Sequence, residues 1–195
     1  MKEEAKAYFQ TVKGMLEASV SSTSDKAYSL EEGIERAVTL INNCARQKGK
    51  IMVIGNGASA AIANHLATDF CKSAQIKALT FNDSSLLTCL SNDYGYEYVF
   101  EKPIETFAAP QDILVAISSS GKSENILRAV RIAKKLNLKI ITLSGFDINN
   151  PLKGMGEVNF YVPSSDYSPV EIVHQAIAHC LVDMVLRSQN NLQKG

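Results

Sequence analysis

Three histidines and a few carboxylates carry most of the chemistry open to this chain. The histidines fall in two short segments, His65 in one and His174 with His179 in the other. His65 and Asp69 stand four residues apart, on one face of a helix. Glu171 is three residues from His174 and eight from His179, so all three share a broad face of a second helix. Two imidazoles and two carboxylates make a nitrogen and oxygen donor set that can close around one divalent ion and neutralise it. The expected ligands are His65, Asp69, Glu171 and His179. Zinc is the first candidate, with manganese, iron or nickel as alternatives, and His174 is left as a supporting or subunit-contact residue. By spacing alone, core or solvent-facing histidines with separate partners fit as well.

An anion site is the second piece of chemistry. Ser118-Ser119-Ser120-Gly121-Lys122-Ser123 follows an apolar run ending at Ile117 and leads into a helical stretch. Gly121 permits a tight turn. Unpaired N–H groups at a helix start point outward, and the hydroxyls of Ser118, Ser120 and Ser123 can each donate to an oxygen. A phosphate fits this arrangement, as does an ordinary serine-rich helix cap with nothing bound. The turn lacks the spacing of a Walker A loop. Gly55-Asn56-Gly57-Ala58-Ser59, followed by Ala60, does not make GxGxxG either, so nucleotide binding has little support. The combined expectation is a phosphorylated small molecule held over a metal.

Positioning these groups falls to short apolar strands and the helices between them. Ile51-Met52-Val53-Ile54, Ile113-Leu114-Val115-Ala116-Ile117 and Ile140-Ile141-Thr142-Leu143 read as buried strands, with 76–80 and 158–162 as weaker ones. Helices are expected over about 59–72, 86–107 with a break at Pro103, 123–136, and 169–187 with Pro169 in its first turn. This alternation predicts an α/β fold: a three-layer αβα sandwich around a five-stranded parallel sheet. In such sheets ligands bind at the C-terminal strand ends, where both Gly/Ser turns fall. Ahead of the sheet, residues 3–19 have helical apolar spacing and Ser21-Ser22-Thr23-Ser24 reads as a polar link. Ser29-Leu30-Glu31-Glu32 is a capping box opening a helix that ends near Gly49. Residues 1–49 are thus an N-terminal helical extension of the same domain as 50–195.

The 195 residues suit one domain with a sizeable core. Twenty basic residues balance twenty acidic ones, so charge favours neither nucleic acid nor an anionic membrane as a partner. No apolar run approaches a membrane span, and the acidic start MKEEAKAYF is unlike a signal peptide. Cys44, Cys71, Cys89 and Cys180 have no zinc-finger or CxxC spacing and read as buried thiols, which points to a cytoplasmic location.

The runs GNGASAAIANHLATD (55–69), LSNDYGYEYVF (90–100), ISSSGKSENILRA (117–129), ITLSGF (141–146) and EIVHQAIAH (171–179) resemble the sugar-isomerase (SIS) domain family, and within it the phosphoheptose isomerases. The resemblance covers most of the chain from residue 50 onward. It implies an isomerase that interconverts sedoheptulose 7-phosphate and D-glycero-D-manno-heptose 7-phosphate through a metal-assisted enediol, towards lipopolysaccharide or capsule heptose. It also implies one zinc ion per subunit and a homotetramer joined through its N-terminal helices. Carried over by position, Ser59, Ser118, Ser120 and Ser123 look like phosphate binders, and Ser119 stands in the catalytic pocket. Asn56 and Asp93 look like contacts to sugar hydroxyls, and Glu171 stands at a position that serves substrate and metal. Asp69 and His179 stand where the family draws its acid–base pair. Ala58, Ile62, Asp69, Glu171 and Ser73 depart from the usual glycine, aspartate, glutamate, glutamine and basic residue. Two other functions remain open: an isomerase for a different phosphosugar in capsule or natural-product sugar synthesis, and a non-catalytic scaffold that binds phosphosugars or a replication initiator.

Overall fold

Strands buried on both faces build the centre of the molecule. The computed structural model describes residues 1–23 and 26–192. Five parallel strands form most of the sheet: β3 (Lys50–Ile54), β4 (Lys77–Thr80), β5 (Ile113–Ser118), β6 (Lys139–Ser144) and β7 (Val158–Tyr161), in the order β7-β6-β5-β3-β4. Alternate residues of each strand serve opposite faces, as the pleat requires. Ile51, Val53, Ile113, Val115 and Ile117 pack with helices α2 (Leu30–Arg46), α3 (Ala58–Lys72) and α7 (Tyr167–Leu192). Met52, Ile54, Leu114 and Ala116 pack on the other face with α5 (Glu101–Phe107) and α6 (Glu124–Lys135). The three-layer sandwich follows directly from that division.

The sheet is larger than expected, and it is mixed. Two short strands, β1 (Val20–Ser22) and β2 (Ala27–Tyr28), extend it to seven by pairing antiparallel beyond β7. The first half of the expected polar link, Ser21 and Ser22, is therefore part of β1, while its last residue, Ser24, lies outside the described residues. Sequence patterning missed β1 and β2 because two or three residues are too few to show a period. Side chains fix β1 as well: Asn159 donates to the Ser22 carbonyl at 3.0 Å, and Ser21 Oγ donates to the Ser29 carbonyl at 2.6 Å.

The capping box forms as read. Ser29 Oγ accepts from the Glu32 N–H, and Glu32 accepts from the Ser29 N–H at 2.8 Å. The 86–107 stretch breaks earlier than expected. Helix α4 (Ser84–Tyr94) stops at Gly95, whose φ is +100°, and a short 3-10 turn, Tyr96–Tyr98, leads into α5. Pro103 sits in the first turn of α5, where no N–H partner is required. Of the four free cysteines only Cys44 is buried; Cys71 and Cys89 are exposed. Helix α7 is long and apolar enough, by length and composition, to cross a membrane, contrary to the reading by inspection. Its Val170, Val173, Ile177, Leu181 and Val185 are instead buried in the core beside α2 and α3.

Candidate functional site

The chain leaves β3 towards β4 on one side and returns as β5 on the other, so the C-terminal ends of these neighbouring strands open a crevice. The two Gly/Ser turns occupy it. A cavity of about 130 Å³ lies there, lined by Asn56 and Ser59 from the first turn, Ser118, Ser119, Ser120 and Ser123 from the second, and Tyr167 and Glu171 from the start of α7. Both turns depend on missing side chains. A Cβ on Gly55 would stand 2.5 Å from the Ser59 carbonyl oxygen, and Gly121 holds a φ of +62°. The serines are only lightly engaged with protein. Ser118 and Ser123 hydroxyls are 3.4 Å apart, and Ser120 Oγ accepts from the Lys122 N–H at 3.3 Å. Ser119 Oγ is buried with no hydrogen-bond partner. An orphaned hydroxyl in a polar cavity is a costly feature unless a ligand or water satisfies it.

A second cluster lies further along α3 and α7. His65, Asp69 and His179 bring one ligand atom each within 4.8 Å of one another. Asp69 Oδ2 is 3.3 Å from His65 Nε2 and 3.7 Å from His179 Nδ1, and the two imidazole rings stand edge-to-face at 4.7 Å. Two ligands about 2.1 Å from a tetrahedral ion lie roughly 3.4 Å apart. The spacing and the N, N, O donor set therefore fit a first-row divalent ion. Three protein donors is also the count at metal sites that keep one position open for chemistry. Both imidazoles are about half exposed, so the cluster opens to solvent.

The same two helices join cavity to cluster. Ser59 and Glu171, near the starts of α3 and α7, line the cavity, and His65 and His179 lie six and eight residues further on. At 1.5 Å per residue, these separations are roughly 9 and 12 Å.

The structure does not bring every expected residue together. Glu171 is absent from the three-donor group and lines the serine cavity instead, because eight residues of helix hold it away from His179. Asp93 is exposed on α4, bonded to its neighbour Asn92, and does not line the cavity. His174 is fully buried beneath β6, with Nε2 3.2 Å from the Ser144 carbonyl oxygen. Burial pushes its pKa down to about 4, so it is neutral near pH 7. Four residues near the cavity escaped the sequence reading. Tyr167 lines it; Asn125 and Tyr96 both bond Asn56; and Asn150 packs under Gly121. The buried asparagine at the start of α6 was the one available signal, since a carboxamide there has to find partners.

Known proteins are similar to this chain in sequence and fold. The SIS domain family matches residues 7–145. Phosphoheptose isomerase from Helicobacter pylori (strain ATCC 700392 / 26695) is 35% identical over 164 residues, covering 81% of this chain and 85% of that protein. The enzyme of the same name from Shewanella loihica is 34% identical over 188 residues, covering 92% and 95%. The solved structure of phosphoheptose isomerase GmhA from Neisseria gonorrhoeae superposes with a TM-score of 0.82 at 30% identity, covering 94% of this chain and 98% of that one. With matching fold and sequence, this chain belongs to the SIS domain family, on its phosphoheptose isomerase branch.

Proposed function

We propose that the protein is an aldose–ketose isomerase of a seven-carbon sugar phosphate, interconverting sedoheptulose 7-phosphate and D-glycero-D-manno-heptose 7-phosphate. The observation that carries this reading is the serine cavity and the His65–Asp69–His179 cluster joined along two shared helices. Their separation suits a substrate with phosphate at one end and carbonyl at the other. An extended seven-carbon chain with bonds of about 1.5 Å spans roughly 8 Å before its phosphate is added. The relatives named phosphoheptose isomerase support the same choice.

In this mechanism Ser59, Ser118, Ser120 and Ser123 grip the phosphate together with the N–H groups opening α6. That grip supplies binding energy that orients the distant carbonyl. Asn56, Ser119 and Glu171 meet sugar oxygens. Asp69 and His179 are the acid–base pair: one takes the proton α to the carbonyl, and the other returns a proton to the neighbouring carbon through an enediol. His65 and His179 flank one oxygen of Asp69 and so set its direction. A divalent ion, zinc first among the candidates, would be held by His65, Asp69 and His179 and would supply Lewis-acid stabilisation of developing negative charge.

A homotetramer in the cytoplasm, making heptose for lipopolysaccharide or capsule, completes the proposal. Support for assembly comes from α1 (Lys2–Ala18), which buries none of its residues in the single chain. Its Phe9 is 69% exposed, and an apolar groove of about 640 Å³ runs between Leu16, α2 and α7.

The test is to incubate metal-analysed protein with sedoheptulose 7-phosphate and a panel of other ketose phosphates, following products by NMR. Conversion of the heptulose phosphate supports the reading. Conversion of a different ketose phosphate alone moves the enzyme to another pathway, and binding without turnover leaves a phosphosugar-binding scaffold.

A further inference from the structure

Asn56 is held by an arrangement that leaves its carboxamide only one function. Its Oδ1 accepts from Asn125 Nδ2 at 2.9 Å and from the Tyr96 hydroxyl at 3.0 Å. Its Nδ2 donates to Asn125 Oδ1 at 3.0 Å. A carboxamide has two acceptor lone pairs and two N–H donors. Both lone pairs and one N–H of Asn56 are therefore spent on protein.

Two asparagines facing each other could pair equally well with both amides flipped. The backbone breaks that tie. The Ile126 N–H, shared with the Ser123 carbonyl, donates to Asn125 Oδ1 at 3.0 Å, and a backbone N–H can only donate. Flipping Asn125 would set its NH2 against that N–H, so Asn125 Oδ1 is fixed and the orientation of Asn56 follows from it. Asn125 is 4% exposed and stands in the first turn of α6, a rigid element. Neither Asn125 nor Tyr96 lines the cavity, whereas Asn56 does.

We infer that Asn125 and Tyr96 are positioning residues that make Asn56 a one-way donor, presenting a single N–H to an acceptor oxygen of the bound sugar phosphate. The inference rests on the sugar-phosphate reading for its ligand and on the hydrogen-bond count for its geometry. It restricts what can sit beside Asn56: a carbonyl or hydroxyl oxygen offering a lone pair is accommodated, and a group that only donates is rejected. An unpaired polar group in such a contact is what gives a site its strongest discrimination.

Two measurements test it. The first is the Asn125→Ala variant beside the parent and Tyr96→Phe, titrated calorimetrically with sedoheptulose 7-phosphate and with inorganic phosphate. Freeing the Asn56 amide should weaken sugar-phosphate binding about tenfold in Asn125→Ala and a few-fold in Tyr96→Phe, the range expected for one or two oriented hydrogen bonds. Affinity for inorganic phosphate, which needs the serine hydroxyls and not the Asn56 amide, should stay within twofold. A parallel loss of phosphate affinity would mean that Asn125 merely supports the cradle, and unchanged sugar-phosphate affinity would mean that it orients nothing; either result overturns the inference. The second measurement needs no ligand. Neutron diffraction from deuterium-exchanged crystals should show both deuteriums on Asn56 Nδ2, one directed at Asn125 and one into the cavity. Oδ1 facing the cavity would end the proposal. If that map comes out as expected and sedoheptulose 7-phosphate is not turned over, the isomerase reading falls while the donor assignment stands.

Discussion

Gly121 and Asn150 are packed so closely that a Cβ on the glycine would overlap the asparagine Oδ1. Asn150 is itself buried. It donates to the carbonyls of Gly145 and Asp147 and accepts from the Lys153 N–H, bracing the loop after β6, whose Gly145 and Leu152 N–H groups donate to the Ser119 and Gly121 carbonyls of the serine turn. Gly121→Ala faces that overlap together with a left-handed φ, which costs roughly 1–2 kcal/mol by itself. We expect denaturant unfolding to show a loss of about 2 kcal/mol or more, together with loss of inorganic phosphate binding. A variant within about 0.5 kcal/mol of the parent, the ordinary range for harmless surface changes, would show that the turn does not depend on this contact.

Ser119 should separate stability from activity. Its buried hydroxyl has no protein partner, so Ser119→Ala removes an unsatisfied group. The substitution should leave stability unchanged or raise it by about 1 kcal/mol. The same change should lower kcat/KM on sedoheptulose 7-phosphate by about 100-fold or more, the scale of one directed donor in a reacting site. A clear fall in Tm with normal kinetics would assign the hydroxyl a purely structural role.

Metal content should follow the three-donor cluster and not the four residues suggested by sequence. His65→Ala, Asp69→Asn and His179→Ala each remove a member of the group and should lower metal occupancy sharply after dialysis, as measured by elemental analysis. Glu171→Gln should keep its metal and shift KM instead, because Glu171 lines the serine cavity. Metal loss on Glu171→Gln equal to that on His179→Ala would restore the four-ligand set.

Acid stability should carry the signature of His174. Burial lowers its pKa to about 4, below the ordinary value of 6.5. The unfolded chain therefore takes up a proton there before the folded one does. The stabilisation is complete above pH 6.5 and falls as pH drops towards 4, by roughly 3 kcal/mol at 1.36 kcal/mol per pH unit. His174→Gln should flatten that part of the stability–pH curve whatever its effect at neutral pH. An unaltered slope would exclude His174 as its source.

Assembly should depend on α1. Phe9→Glu places a charge on an exposed apolar position, so the folded chain should tolerate it. Sedimentation velocity should then show smaller species than the parent forms. An unchanged sedimentation coefficient would remove α1 from the interface.

The strands and turns were legible because their signals are local. Ile51 to Ile54 and Ile113 to Ile117 are apolar on both faces, which only a covered parallel strand accommodates, and each run ends in glycine and serine where a strand must turn into a helix. Helix periodicity likewise put His65 with Asp69, since four residues of α-helix bring them to one face whatever surrounds them. Beyond that range the sequence is silent. Glu171 and His179 share a face of α7, but only the packing of α7 on α3 decides that His179 meets Asp69 while Glu171 meets the serines. The Asn56–Asn125–Tyr96 bonds and the β1–β2 edge are of the same kind. They join segments far apart in the chain or too short to show a period. Composition and spacing thus determined which donors this protein carries and on which elements. The docking of those elements around the β3–β5 crevice decided which donors act together, because a contact between distant residues is set by packing and not by either residue's neighbours.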